Sequence, residues 1–208
     1  MTARHHTQRG FDRLVNFSDA VVAIAITLLV LPLTDLEVGD QKLGAWDLLV
    51  QNSHAFTSFL ITFVLVAAYW LIHHRIFEYL RDYDGAIIRL NLLWLLFIVL
   101  LPFLSYLMQE SGLADGTGAL YFGDIAALSI LLGLIGHHAS RHPELMEPEA
   151  DKGDLGGPRG WVLGGYSIFL AVLSVSAPTV AGWGAFGLLF LSWAMRGRSR
   201  RPETQPSD

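Results

Sequence analysis

Apolar and polar positions along this chain are sorted into blocks. Apolar runs occupy about 16–34, 55–72, 87–108, 119–136, 161–177 and 179–195, with short polar stretches between them. The first three are near or above the roughly 18 to 20 residues a helix needs to cross a bilayer. The last two are shorter and divided only by Ala177-Pro178-Thr179, which predicts a tight helical hairpin. The pattern predicts an all-α membrane protein: residues 1–208 form a single domain of six transmembrane helices. Residues 196–208 are basic, then polar and Pro-containing, and read as a disordered cytoplasmic tail. The first run is not read as a cleaved leader, because Asp19 interrupts its start and no small-x-small site follows.

Composition agrees with the pattern. Hydrophobic residues make up 52% of 208, too many and too clustered for an ordinary soluble domain of this length. There is no cysteine, which excludes disulfides and thiolate metal sites. The net charge of −5 points to no nucleic-acid partner, and its distribution says more than its value. Of the 14 Lys and Arg, only Lys42 falls between the first and second runs or on the same side elsewhere. Arg4, Arg9, Arg13, Arg75, Arg81, Arg89, Arg141, Lys152, Arg159 and the arginines after 195 all fall on the other side. Cytoplasmic loops collect such charge, so both termini are expected in the cytoplasm, and an even number of spans follows. The expected location is the cell membrane, multi-pass, as in a bacterial inner membrane.

The first run carries the candidate chemistry. Ala20, Ile24, Thr27 or Leu28, Leu31 and Thr34 recur along one face of a 3.6-residue helix. If several copies turned that face to a shared axis, it would stack rings of branched apolar side chains beside a ring of hydroxyls. Apolar constrictions gate by dewetting, and hydroxyls replace part of an ion's hydration. The same stripe also suits simple packing between membrane helices, and spacing does not separate the two. Arg13, Ser18 and Asp19 stand at the entrance of the run, where polar groups face protein or water rather than lipid.

The segment Arg13-x-x-x-Phe17-Ser18-Asp19, continued by Ala23-Ile24-Ala-Ile-Thr27-Leu28-Leu-Val-Leu31, resembles the first-helix signature of the endosomal and lysosomal potassium channel family (transmembrane protein 175) and its bacterial homologues. The resemblance continues in Trp70-x-x-His73-x-x-x-Phe77, in Arg89-Leu-Asn91-Leu-Leu and in Pro102-Phe103, and covers about the first half of the chain. It implies a homotetramer in which the first helix of each copy lines a central pore. Ile24, Leu28 and Leu31 would form the constriction and Thr27 the selectivity position, with potassium as the permeant ion and no cofactor. It also implies that His73 supports the first helix by hydrogen bonding. Arg13, Phe17, Ser18, Asp19, His73 and Trp94 form the expected network at the inner end, with a partly buried Arg13–Asp19 pair and a His73–Trp94 contact on grounds of depth.

Other features add less. The loop from Asp35 to Asp47 holds four acids against Lys42 and reads equally as a cation-gathering mouth or a solvated loop. Pro102 predicts a kink. His138 and His142 have metal-ligand spacing, but Pro143 follows and no third ligand is apparent, so no metal is expected. His5 and His6 read as incidental, and residues 143–160 as a flexible cytoplasmic loop. Leu163-Gly164-Gly165-Tyr166 lies inside an apolar run and is not a carbonyl filter. No nucleophile–base pair, zinc motif or phosphate loop is present, which argues against an enzyme. The expected function is passive potassium conduction through an oligomeric pore. The alternative is a small secondary transporter of a solute or proton, although the two three-helix halves share no obvious motif.

Overall fold

In a computed structural model, residues 8–34, 44–113, 115–148 and 159–177, with Gly184 and Gly187, are described. The protein is an all-α membrane protein. Its helices are α1 (Gln8–Leu28), α2 (Leu31–Thr34), α3 (Ala45–Gln51), α4 (Ser53–Glu78), α5 (Gly85–Ser111), α6 (Thr117–Arg141) and α7 (Arg159–Ser176), with a short 3-10 turn at Pro143–Leu145. Four stretches are long and apolar enough to cross a membrane: Arg9–Thr34, Ser53–Glu78, Gly85–Ser111 and Thr117–Arg141. The expected sixth span, 179–195, lies outside the described residues except for Gly184 and Gly187, as do the 196–208 tail, His5, His6 and most of the acidic loop.

The helices run up and down in sequence, and one end of the bundle collects the start of α1, the end of α4, the start of α5 and the end of α6. There Phe11 stacks on Phe77 and Tyr83 with ring centroids 6.3 and 6.2 Å apart. From this packing α1 sits at one edge against α4 and α5, α6 lies beyond α5, and α7 covers α6. Gly118 explains the close approach of the last two, since a Cβ there would meet Ser174 Cβ at 2.6 Å. At the opposite end the α5–α6 turn uses Gly112 and Gly116 at positive φ, where a side chain would be strained.

Two departures from expectation have local causes. The first apolar run is not one unbroken helix: α1 ends at Leu28 and a turn at Leu29–Val30 precedes α2. Pro32 has no N–H to give the Leu28 carbonyl, and its ring crowds that carbonyl. The chain closes the gap with shorter bonds, Val30 N to Thr27 O at 3.3 Å and Leu33 N to Val30 O at 2.9 Å. Second, the start of the 143–160 stretch is anchored. Arg81 N donates to Leu145 O at 3.0 Å, Glu147 N donates to Tyr79 O at 3.0 Å, and Leu145 and Met146 are buried. Two apolar side chains among the acids are what hold it; residues 149–158 lie outside the described set.

Candidate functional site

The two faces of α1 differ in kind. Phe11, Ser18, Val22, Ala25 and Leu29 are buried against α4 and α5. The opposite face is open: Arg13, Phe17, Ala20, Ile24, Thr27, Leu28, Leu31 and Thr34 are all exposed. Ile24 is 60% exposed, Leu31 52% and Leu28 39%, large apolar side chains that no described residue covers. Leu31 and Thr34 belong to α2, so the apolar ridge continues past the break at Leu29–Val30. Thr27 Oγ1 donates to the Ile24 carbonyl at 2.8 Å. Its proton is thereby committed to its own helix, and its lone pairs are left as acceptors on the open face.

Beneath the ridge, a directed chain of hydrogen bonds ties three helices together. His73 Nε2 lies 2.8 Å from Asn91 Oδ1, and Asn91 Nδ2 donates to Ser18 Oγ at 2.8 Å. Ser18 Oγ in turn donates to the Leu14 carbonyl at 2.9 Å. An amide oxygen only accepts, so the His73 proton sits on Nε2. Ser18, His73 and Asn91 are buried to within 1%. The His73 ring is held between Phe77 and Trp94, with centroids 4.2 and 4.3 Å away. Trp94 is fully buried and its Nε1 has no hydrogen-bond partner among the described residues.

Asp19 is tied down separately, accepting the Trp70 Nε1 hydrogen at 2.8 Å. The expected Arg13–Asp19 pair is not formed within the chain, because six residues along a helix place the two about 120° apart around its axis. Arg13 is exposed with the ridge and makes no ion pair among the described residues. Ser18, Asp19, His73 and Trp94 are thus brought together, while Arg13 and Phe17 share the open face with Ile24. Asn91 and Trp70 complete the network and were not among the predicted site residues, although both stand in the motifs that carry the resemblance.

The His138–His142 spacing resolves differently. His138 Nε2 lies 2.8 Å from Asp84 Oδ2, and the two imidazoles stack at 4.1 Å. Asp84 is also the N-cap of α5, its Oδ1 accepting from Ala86 N at 3.0 Å and Ile87 N at 2.9 Å. Partial burial pushes the Asp84 acid up, but the Ile87 N–H, His138 and the Ala86 N–H outweigh it and hold the carboxyl below its ordinary value. His74, second of the 73–74 pair, meets Glu78 at 3.3 Å and stacks on Trp70. Among the described residues no three His, Asp or Glu converge on a point a metal could occupy.

A second polar cluster was not foreseen. Thr62 of α4 joins Ser105 of α5 and Tyr121 of α6, and Tyr69 joins Ser129, with Asp124 buried nearby on α6. An acid inside the 119–136 apolar run is the signal that could have found it.

The family described as endosomal/lysosomal potassium channel TMEM175 matches residues 13–102. A protein of Streptomyces collinus named as a potassium channel is 30% identical over 188 residues, covering 86% of this chain and 90% of that one. A potassium channel of Chamaesiphon minutus is 28% identical over 191 residues, covering 88% and 92%. The human endosomal/lysosomal proton channel TMEM175 is 28% identical over 143 residues, which span 68% of this chain and 28% of that protein. The crystal structure of a lysosomal potassium-selective channel TMEM175 homologue from Chamaesiphon minutus has the same fold, with a TM-score of 0.73 at 24% identity over 89% of this chain and 98% of that one.

Proposed function

Since the chain belongs to the endosomal/lysosomal potassium channel TMEM175 family, we propose that it is a potassium channel whose pore is formed by the α1 ridges of four copies. The observation that carries this reading is the open face of α1. Ile24 is 60% exposed while Val22 and Ala25 beside it are buried, so the helix has one apolar face packed in the bundle and a second apolar face left open. A single helix face cannot enclose an ion path, and cyclic symmetry brings identical ridges to one axis. Ile24, Leu28 and Leu31 then form stacked apolar rings that restrict water and ions. The Thr27 oxygens, with their protons bound to the helix, face a passing cation as acceptors. Arg13 and Phe17, on the same open face, meet neighbouring copies at the inner end. The Ser18–Asn91–His73 chain and the Asp19–Trp70 bond hold α1 in register for this packing. Both termini lie in the cytoplasm, as the distribution of Lys and Arg requires.

The test is planar-bilayer recording of the purified protein between potassium and sodium solutions, repeated under a pH gradient because the human relative is named as a proton channel. Discrete conductance steps with a reversal potential set by potassium are expected. Ile24→Asn should raise potassium leak from loaded liposomes, because a polar ring wets the constriction. Saturable, gradient-coupled uptake without conductance steps would refute the channel. Unchanged leak in Ile24→Asn would remove Ile24 from the constriction.

A further inference from the structure

Asp124 is 4% exposed in the interior of a membrane-length helix, and among the described residues neither of its carboxyl oxygens has a hydrogen-bond partner. An unpaired ion in such a place is costly, and intramembrane acids mark sites where an ion or proton is handled. The polar atoms around it are arranged as a path. At the end of the bundle bearing α2 and α3, a cavity of about 390 Å³ is lined by Asn52, His54, Tyr106, Gln109 and Glu110, among others. His54 stands one helical turn from Ser58 on α4, and Gln109 one turn from Ser105 on α5. The hydroxyls of Ser58 and Ser105 are 3.3 Å apart. Thr62 donates to Ser105 Oγ at 3.2 Å and lies 2.9 Å from the Tyr121 hydroxyl, which therefore donates to it. Tyr121 precedes Asp124 by one turn of α6. On the other side, Tyr69 and Ser129 are 2.6 Å apart and both bond the carbonyl of Ile125, the next residue.

We infer that Asp124 is a proton-binding site inside each subunit, reached from this cavity through the Ser58–Ser105–Thr62–Tyr121 hydroxyl ladder. A proton from water in the cavity enters at Ser58 or Ser105. The bonds from Tyr121 to Thr62 and from Thr62 to Ser105 point towards the cavity, the orientation for release, so uptake begins when these hydroxyls rotate to point inward. Each oxygen then gains one proton as its own moves on, a water spans the last turn beyond Tyr121, and the carboxylate becomes a carboxylic acid. Release runs outward along the hydroxyls as they stand, from the acid through the water to Tyr121, Thr62 and Ser105, and no other covalent bond is made or broken. A proton fits better than a metal ion, because the surrounding hydroxyls are already bonded to one another. Hard cations also need about six or more oxygen ligands, which this cluster does not offer.

Among the described residues, few titratable groups face the site. Tyr69 from α4 and Tyr121 from its own helix lie within electrostatic reach of the carboxyl. The titratable side chains of α5 are Arg89, Tyr106 and Glu110, towards the ends of that helix. On α7, the Tyr166 hydroxyl donates to the Gly184 carbonyl at 3.1 Å. His54 and Glu110 stand at the cavity, where they meet protons first. The site lies off the α1 ridge, so the inference does not depend on where the pore is.

Infrared spectroscopy of the purified full-length protein in detergent at neutral pH tests it. The spectrum should contain the carbonyl stretch of a protonated carboxylic acid. Asp124→Asn should lose that band, and if this variant does not fold, Asp124→Glu should move it. On transfer to deuterium oxide the band should shift, and more slowly in Thr62→Val than in the wild type. Absence of the band, or a band that Asp124→Glu leaves in place, would overturn the proton assignment. A band that never responds to deuterium oxide would overturn the access path, and an equal rate in Thr62→Val would remove the ladder from it.

Discussion

Ser18, Asn91 and His73 are as deeply buried as Asp124, and all four sit in helices of one membrane bundle, yet their surroundings are opposites. In the first cluster every step hands a proton donor to an acceptor, from His73 through Asn91 and Ser18 to a backbone carbonyl. In the second, hydroxyls pair among themselves and leave the carboxyl unpartnered. Burial alone therefore does not tell a structural polar group from a chemical one; the count of its hydrogen bonds does. A completed chain fixes the position of α1, on which the proposed pore depends. An incomplete one leaves a site open to a proton.

The largest expected effect tests whether the first cluster is built for rigidity. Trp94→Ala removes a fully buried side chain from beneath the His73 ring and should lower stability by about 3–5 kcal/mol, read as a fall in the thermal unfolding midpoint in detergent. Trp94→Phe should cost much less, since the indole Nε1 makes no bond to lose. If both variants unfold equally early, the indole nitrogen has a partner and the comparison needs redrawing.

Asn91→Leu strands the His73 N–H and takes a donor from the Ser18 oxygen, which keeps its bond to the Leu14 carbonyl, and should cost roughly 2–3 kcal/mol. Asp124→Ala strands nothing and should cost less than about 1 kcal/mol, since no satisfied hydrogen bond is lost. Chemical unfolding of both variants in the same detergent gives the two numbers. An Asp124→Ala loss as large as that of Asn91→Leu would mean that the acid is bonded after all.

Much of this architecture was legible in the chain. The blocks of apolar residues predicted the helices because a bilayer-spanning segment must be long and greasy whatever it packs against. The α1 ridge was legible because period 3.6 survives folding, and the face from Ala20 to Leu28 is the open one. The break before Leu31 was overlooked although Pro32 announces it, because hydropathy does not register a missing N–H. Arg13 and Asp19 were expected to tie the inner ends of helices together; within one chain helical geometry separates them, and Arg13 stands on the open face. The partners of His73 and Asp19 were not derivable from spacing. Asn91 and Trp70 reach α1 across interhelical contacts between residues 51 to 73 positions apart. The Asp124 cluster joins three helices in the same way, so only the single acid in an apolar run could have signalled it.

Asp84 offers the smallest and most discriminating test, because it is a fully partnered acid outside the membrane-spanning helices. Its carboxylate caps α5 and meets His138, and these bonds hold its acid below the ordinary value of 3.8. A group with a depressed folded-state value contributes stability above its unfolded value and loses it as pH falls through the folded one. Asp84→Asn keeps a capping oxygen but removes the charge at the helix N-terminus, worth about 0.3–1 kcal/mol. The gap in unfolding midpoint between wild type and Asp84→Asn should therefore be full at neutral pH and close as the pH is taken below 3.8. A gap that stays constant through acid would show that Asp84 acts through its shape and not its charge. The rule drawn from the two buried clusters, that a polar group's hydrogen bonds tell whether its role is structural, would then fail where water also competes for the bonds.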